Sequence, residues 1–149
     1  MNWDNVLQNP LLQNLPFKIE LNRWGKILMS PANNNHGRLQ FELGSLIDRN
    51  KNSGKIIMEC SIDTTDGVKV ADVAWASDAF IEKNGYETPY KIAPEICVEI
   101  TSPSNSIGEI EEKIQLYLAK GAQEVWICDN EGKVSYFSHS GQLDKSEEI

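Results

Sequence analysis

Histidine and cysteine are scarce in these 149 residues, two and three respectively, and Lys plus Arg (14) are outnumbered by Asp plus Glu (22). Cys60, Cys97 and Cys128 lie far apart among apolar neighbours and form no Cys-x-x-Cys pair. That excludes the usual zinc-ligand spacing and points to buried thiols in a reducing compartment. His36, at the start of an expected helix, and His139, in a terminal loop, support no His-based triad and are expected in structural or surface roles. A formal net charge of -8 speaks against holding a polyanion on a broad basic face. No apolar run reaches the roughly eighteen residues that a membrane span needs. The start MNWDNVLQNP lacks the basic-then-apolar order of a secretion signal. The expectation is therefore a cytoplasmic protein, and the length fits a single domain over 1–149.

What is present reads as alternating strands and helices. FKIELN and KILMS flank Arg23-Trp24-Gly25 as a strand pair, closed by Pro31 and the polar PANNN. From His36, residues Leu39, Phe41, Leu43, Leu46 and Ile47 recur at helical spacing, with Asn35 as the expected N-cap and a stop at NKNSG. KIIMECSID and VKVADVAWAS form a second strand pair around TTDG. SDAFIEKNG is a short helix or turn, YETPYKIAP a loop and EICVEITS a strand. Ser106 and Glu109 have capping-box spacing before the helix IGEIEEKIQLYLAK, which ends at Gly121. EVWICD and KVSYFS close the chain as a hairpin. The order predicts an α/β fold, a mixed central sheet flanked by helices, with an N-terminal strand pair and a C-terminal hairpin.

Two strands carry a carboxylate at their centre. Alternation puts Ile96, Val98 and Ile100 on one face and Glu95, Cys97, Glu99 and Thr101 on the other. In VKVADVAWAS it groups Val70, Asp72, Ala74 and Ala76 against Ala71, Val73 and Trp75. Either acid can lie on a solvated face. Buried, each needs a cation, a hydrogen-bond network or a metal. On the following helix Ile107, Ile110, Ile114, Tyr117 and Leu118 form the packed stripe, and Lys113 falls at its edge. From there it can snorkel toward Glu99 or Asp72, or pair on the solvent side with Glu109 or Glu112. Spacing leaves these readings level. Trp24, Trp75 and Trp126 are dispersed and expected in core or interface, Ser102, Ser104 and Ser106 in turn and capping roles, and Asp144, Glu147 and Glu148 in a solvated tail.

The block APEICVEITSPSNSIGEIEEKIQLYLAKGAQEVWICD resembles the Uma family of putative restriction endonucleases, within the PD-(D/E)xK nuclease superfamily. VKVADVAWAS and ILMSPANNNHGRLQFELGSLI are similar to further family segments, so the resemblance runs from about Phe17 to Phe137. It departs at Ala71, where the family usually has proline, and at GQLDKSEEI, ahead of the apolar segment that continues family tails. The resemblance implies a restriction-endonuclease-like fold and DNA phosphodiester hydrolysis, with Asp72, Glu99, Lys113 and Glu20 as catalytic residues. It also implies Mg²⁺, or Mn²⁺, held by Asp72, Glu99 and the Ile100 carbonyl. Lys113 would orient the attacking water and offset charge on phosphorus. Lys18, Arg23, Lys26 and Arg38 would supply a basic cleft, and family analogy implies a homodimer. The alternative is an inactive relative that serves as a dimerisation or partner-binding module.

Overall fold

The computed structural model describes residues 1–15, 17–31 and 33–149; Ala32, within the expected PANNN loop, lies outside them. A short helix α1 (Trp3–Gln8), not foreseen in the sequence, precedes the antiparallel pair β1 (Phe17–Leu21) and β2 (Ile27–Pro31). Then come α2 (Asn34–Asn50), β3 (Lys55–Thr64), β4 (Gly67–Ala76), α3 (Asp78–Asn84), β5 (Ile96–Ile100) and α4 (Ile107–Ala119). The chain closes with β6 (Glu124–Cys128), β7 (Val134–Ser138) and the short β8 (Gly141–Leu143). β3 to β8 form one six-stranded sheet in sequence order, antiparallel except for the β5–β6 pair, which α4 connects. This is the expected mixed sheet with its N-terminal pair and C-terminal hairpin, extended by β8.

Both faces of the central strands are covered. Leu39, Leu43 and Ile47 of α2 pack on Val73, Trp75, Ile96, Val98 and Trp126. Ile114, Tyr117 and Leu118 of α4 pack on the other face with Ala74, Ala76, Cys97, Val125 and Ile127. The three cysteines are buried, as expected. A smaller cluster of Val6, Leu21 and Val68 ties α1 and the β1–β2 hairpin to the start of β4. Among the described residues, no helix is long and apolar enough to cross a membrane.

Several local expectations are corrected. Asn33, not Asn35, caps α2, its side chain accepting from the His36 amide at 2.8 Å, while Asn35 turns to Arg38 and the Asn130 carbonyl. Phe41 is 68% exposed, because α2 buries only the Leu39, Leu43 and Ile47 side of its apolar stripe. Trp75 and Trp126 are buried, but Trp24 stands at the β1–β2 tip, 79% exposed, with the Arg23 guanidinium over its ring. Strict alternation fails in β4: Ala71 shares a core with Ala74 and Ala76, while Val73 and Trp75 lie in the other. The β3–β4 register runs through Met58↔Val73 and Cys60↔Ala71 but skips Glu59 and Asp72, and Glu59 has the left-handed φ of 54°. The faces of the pair exchange at that step.

Candidate active site

The face exchange aims Asp72 along the sheet rather than out of it. Its Oδ2 accepts the Ile100 amide of β5 at 2.7 Å, and its own carbonyl accepts from Gln40 of α2 at 2.8 Å. Ladder pairing between β4 and β5 stops at Val73↔Val98, one step short of the two acids. Asp72 thus stands in for the next ladder partner through Oδ2, and its Oδ1 is left to the cationic side chains at the carboxyl end of β5.

Solvated faces do not account for these acids: Asp72, Glu99 and Glu20 are 0%, 4% and 5% exposed. Each has found cations, as burial of charge requires. Lys18, two residues before Glu20 on the same side of β1, puts its ammonium 3.2 Å from Asp72 Oδ1, 3.0 Å from Glu99 Oε1 and 2.9 Å from the Val70 carbonyl oxygen. Lys113 of α4 donates to Glu20 Oε2 at 2.8 Å and to the same Glu99 Oε1 at 3.0 Å. Of the two placements open to Lys113 in the sequence, the structure takes the sheet side, with Glu20 rather than Asp72 as the second partner. Glu20 Oε2 also accepts the Val70 amide at 2.7 Å, which fastens the β1–β2 pair to β4. Tyr117, one turn beyond Lys113, donates its hydroxyl to Glu99 Oε2 at 2.7 Å. His36 Nε2 lies 3.3 Å from Asp72 Oδ1.

The electrostatics follow from burial set against these contacts. Burial would raise the Asp72 carboxyl, but Lys18, His36 and the Ile100 amide hold it down at about 2. Glu20 is likewise lowered: burial pushes its carboxyl up, and Lys113 and Lys18 more than reverse that. Glu99 goes the other way. Burial outweighs the attraction of Lys113 and Lys18, with Asp72 and Glu20 adding repulsion, and its carboxyl is raised. Burial alone would lower the Lys18 ammonium, but Glu99, Asp72 and Glu20 together raise it. The bond to Asp72 raises His36.

The structure brings Asp72, Glu99, Glu20 and Lys113 together: Glu99, Glu20 and Lys113 line a cleft of about 1150 Å³, and Asp72, 0% exposed, lies behind Lys18 and His36, which line it too. The Ile100 amide is spent on Asp72, and the carbonyl that meets both carboxylates at one ammonium is that of Val70. Oxygen donors of this kind suit a hard divalent cation such as Mg²⁺ or Mn²⁺ rather than zinc. Among the described residues, no three His, Cys, Asp or Glu side chains already form a metal cage. Of the expected basic set, Lys18 lines the cleft. Arg23 is taken up by Asp66 at 2.9 Å and Glu112 at 3.5 Å, Arg38 pairs with Glu42 at 3.0 Å, and neither Lys26 nor Arg38 lines the cleft. The rim carries Glu59, Asp66, Glu109 and Glu112, so the acidic balance reaches the mouth of the site.

Sequence reasoning placed Tyr117 only in the packed stripe, though its i+4 spacing from Lys113 put both on one helix face. It placed His36 outside any site. Nothing local signals that role, because the Asp72 contact depends on how α2 lies across β4. Comparison with known proteins gives three findings. The family model described as "Putative restriction endonuclease" (Uma2) matches residues 3–147. A crystal structure of a "putative nuclease belonging to DUF820" from Anabaena variabilis has the same fold, with a TM-score of 0.67 at 22% identity over 93% of this chain and 85% of that one. No curated protein matches.

Proposed function

The chain belongs to the Uma2 family, described as "Putative restriction endonuclease", and on that premise we infer that the cleft hydrolyses phosphodiester bonds of DNA with the help of a divalent metal ion. One observation carries the reading: two strand carboxylates from β4 and β5 converge on a single cation position, that of the Lys18 ammonium, which lies at the wall of an open cleft beside a third carboxylate and a helix lysine. Glu99 and Glu20, although buried, line a space large enough for a ligand, and Asp72 is joined to it through the Lys18 ammonium.

Asp72 and Glu99, with a main-chain carbonyl at Ile100 or Val70, would hold Mg²⁺ or Mn²⁺. Bound there, the ion supplies positive charge to the scissile phosphate and acidifies an attacking water. The chain's own groups do the rest. Lys113, steadied by Glu20 and Glu99, directs an N–H toward the water and the phosphate oxygens and offsets the negative charge that grows during attack. Glu20 keeps Lys113 at the cleft wall and locks β1 to Val70, so it positions the reacting groups. Tyr117 fixes the rotamer of Glu99 through Oε2 and leaves Oε1 toward the cleft.

Calorimetry with Mg²⁺ and Mn²⁺ on wild type and Glu99→Gln, followed by supercoiled-plasmid cleavage, tests this reading. We expect binding and cleavage by wild type, both reduced at least about a hundredfold in the folded variant. Metal binding that survives Glu99→Gln unchanged, or no binding to wild type with or without DNA, would overturn it in favour of a dimerisation or partner-binding module whose ion pairs serve only the fold.

A further inference from the structure

Lys18 has no part in the chemistry outlined above, yet its ammonium is the group at the centre of the site. It meets Val70 O, Glu99 Oε1 and Asp72 Oδ1 at 2.9, 3.0 and 3.2 Å, with Glu20 Oε2 at 4.0 Å. An ammonium has three N–H donors, and these three partners use all of them. Its side chain is only 13% exposed. All four are oxygen atoms, three of them carboxylate, which is the donor type that a hard divalent cation selects. One position is thus claimed by two cations, one tethered and one diffusible.

We propose that Lys18 is a tethered counter-ion: its ammonium holds the position between Asp72 and Glu99 that a divalent ion would take, and yields it when the ion binds. The inference rests on the metal-dependent reading of the site and adds to it a built-in competitor that sets the metal affinity. Lys113 cannot play this part, because its two carboxylate partners are Glu20 and Glu99 and it makes no contact with Asp72. Strand geometry supplies the means of exit. Lys18 and Glu20 share a face of β1, so the Lys18 backbone stays at the cleft wall while its four-carbon stem can swing into the open volume. The occupied arrangement balances three buried carboxylates against Lys18, Lys113 and the nearby His36. Removing Lys18 would leave Asp72 and Glu99 with an uncompensated negative charge, which favours the divalent ion.

Two measurements on the full chain test the proposal. In calorimetry with Mn²⁺, Lys18→Met should bind about tenfold more tightly than wild type or better, since a competing charge at contact distance has been removed. In amine-acetylation footprinting read by mass spectrometry, Lys18 of the wild type should react slowly beside the exposed Lys91, and several-fold faster once Mn²⁺ is added. The second measurement needs no variant, so a Lys18→Met protein that fails to fold does not remove the test. Equal or weaker Mn²⁺ binding in a folded variant, or Lys18 reactivity unchanged by bound Mn²⁺, would overturn the counter-ion role while leaving the metal site standing. Absence of Mn²⁺ binding to both proteins would overturn the metal-dependent reading and this inference with it.

Discussion

Asp72 and Glu99 share the Lys18 ammonium, yet their carboxyls are displaced in opposite directions, and the difference lies in what else each one touches. Asp72 has a main-chain amide, Lys18 and His36 around it, whereas Glu99 is enclosed with two further acids nearby. The lowered Asp72 carboxyl, at about 2 against an ordinary 3.8, contributes stability that is fully present above about pH 4 and lost as the pH falls toward 2. Glu20, also lowered, acts in the same direction. Glu99, raised, acts in the opposite one: its contribution is present at low pH and lost as the pH rises through its folded-state value. Unfolding in urea from pH 2 to 7 should therefore show an acid limb that Asp72→Asn flattens, the Asp72 share being about 2 kcal/mol at neutral pH. An acid limb of unchanged slope in the variant would mean that Asp72 is not held low by its neighbours.

The β1–β2 hairpin brings Lys18 and Glu20 to a sheet of which it is not a part, and its main chain passes close over a glycine at the start of β4. Gly67 opens β4 at φ +80°, and a Cβ there would come within 2.4 Å of the carbonyl oxygens of both Leu21 and Asn22. Gly67→Ala therefore meets both a strained backbone and a steric barrier that only withdrawal of the hairpin relieves. It should lower stability by about 1–2 kcal/mol or more in urea. It should also speed exchange of the Val70 amide hydrogen, which is bonded to Glu20. Unaltered Val70 exchange would show that the hairpin is held by its other contacts. α2 contributes at the same scale: its first turn, capped by Asn33, sets His36 beside Asp72, and one turn on it directs Gln40 to the Asp72 carbonyl.

Across the whole molecule, the parallel β5–β6 pair separates two buried acidic centres. Glu99 lies near the carboxyl end of β5 and faces the cleft, while Glu124 opens β6 at the opposite end and is 2% exposed. The tail docks on Glu124: Ser146 Oγ donates at 2.6 Å, the Glu147 and Glu148 amides at 2.6 and 3.2 Å, and Trp126 Nε1 at 2.9 Å. Asp144 and Glu147 are exposed as the sequence suggested, but the backbone between Ser146 and Glu148 is fastened. Deleting residues 144–149 strips all but the indole from a buried carboxylate and should cost about 2–4 kcal/mol in urea. Because the two centres share no partner, Mn²⁺ affinity should stay within about twofold. A large loss of affinity would instead reveal coupling through the sheet.

Much of this was legible in the residues themselves. Period-two alternation and turn signals marked the strand pairs, a 3.6-residue stripe marked α4, and the APEICVEITSPSNS block carried the family resemblance that the match over residues 3–147 bears out. These features are local, governed by backbone geometry over a few residues, so a sequence displays them directly. The pairing of cation with acid is not local. Lys18 reaches Asp72 across 54 positions and Lys113 reaches Glu20 across 93, while alternation misgroups Ala71 because the β3–β4 ladder skips Glu59 and Asp72. The sequence determined which residues could carry charge to the carboxyl end of β5. Packing of the hairpin, α2 and α4 onto the sheet decided which charges meet, because a buried acid selects its partner by distance in space.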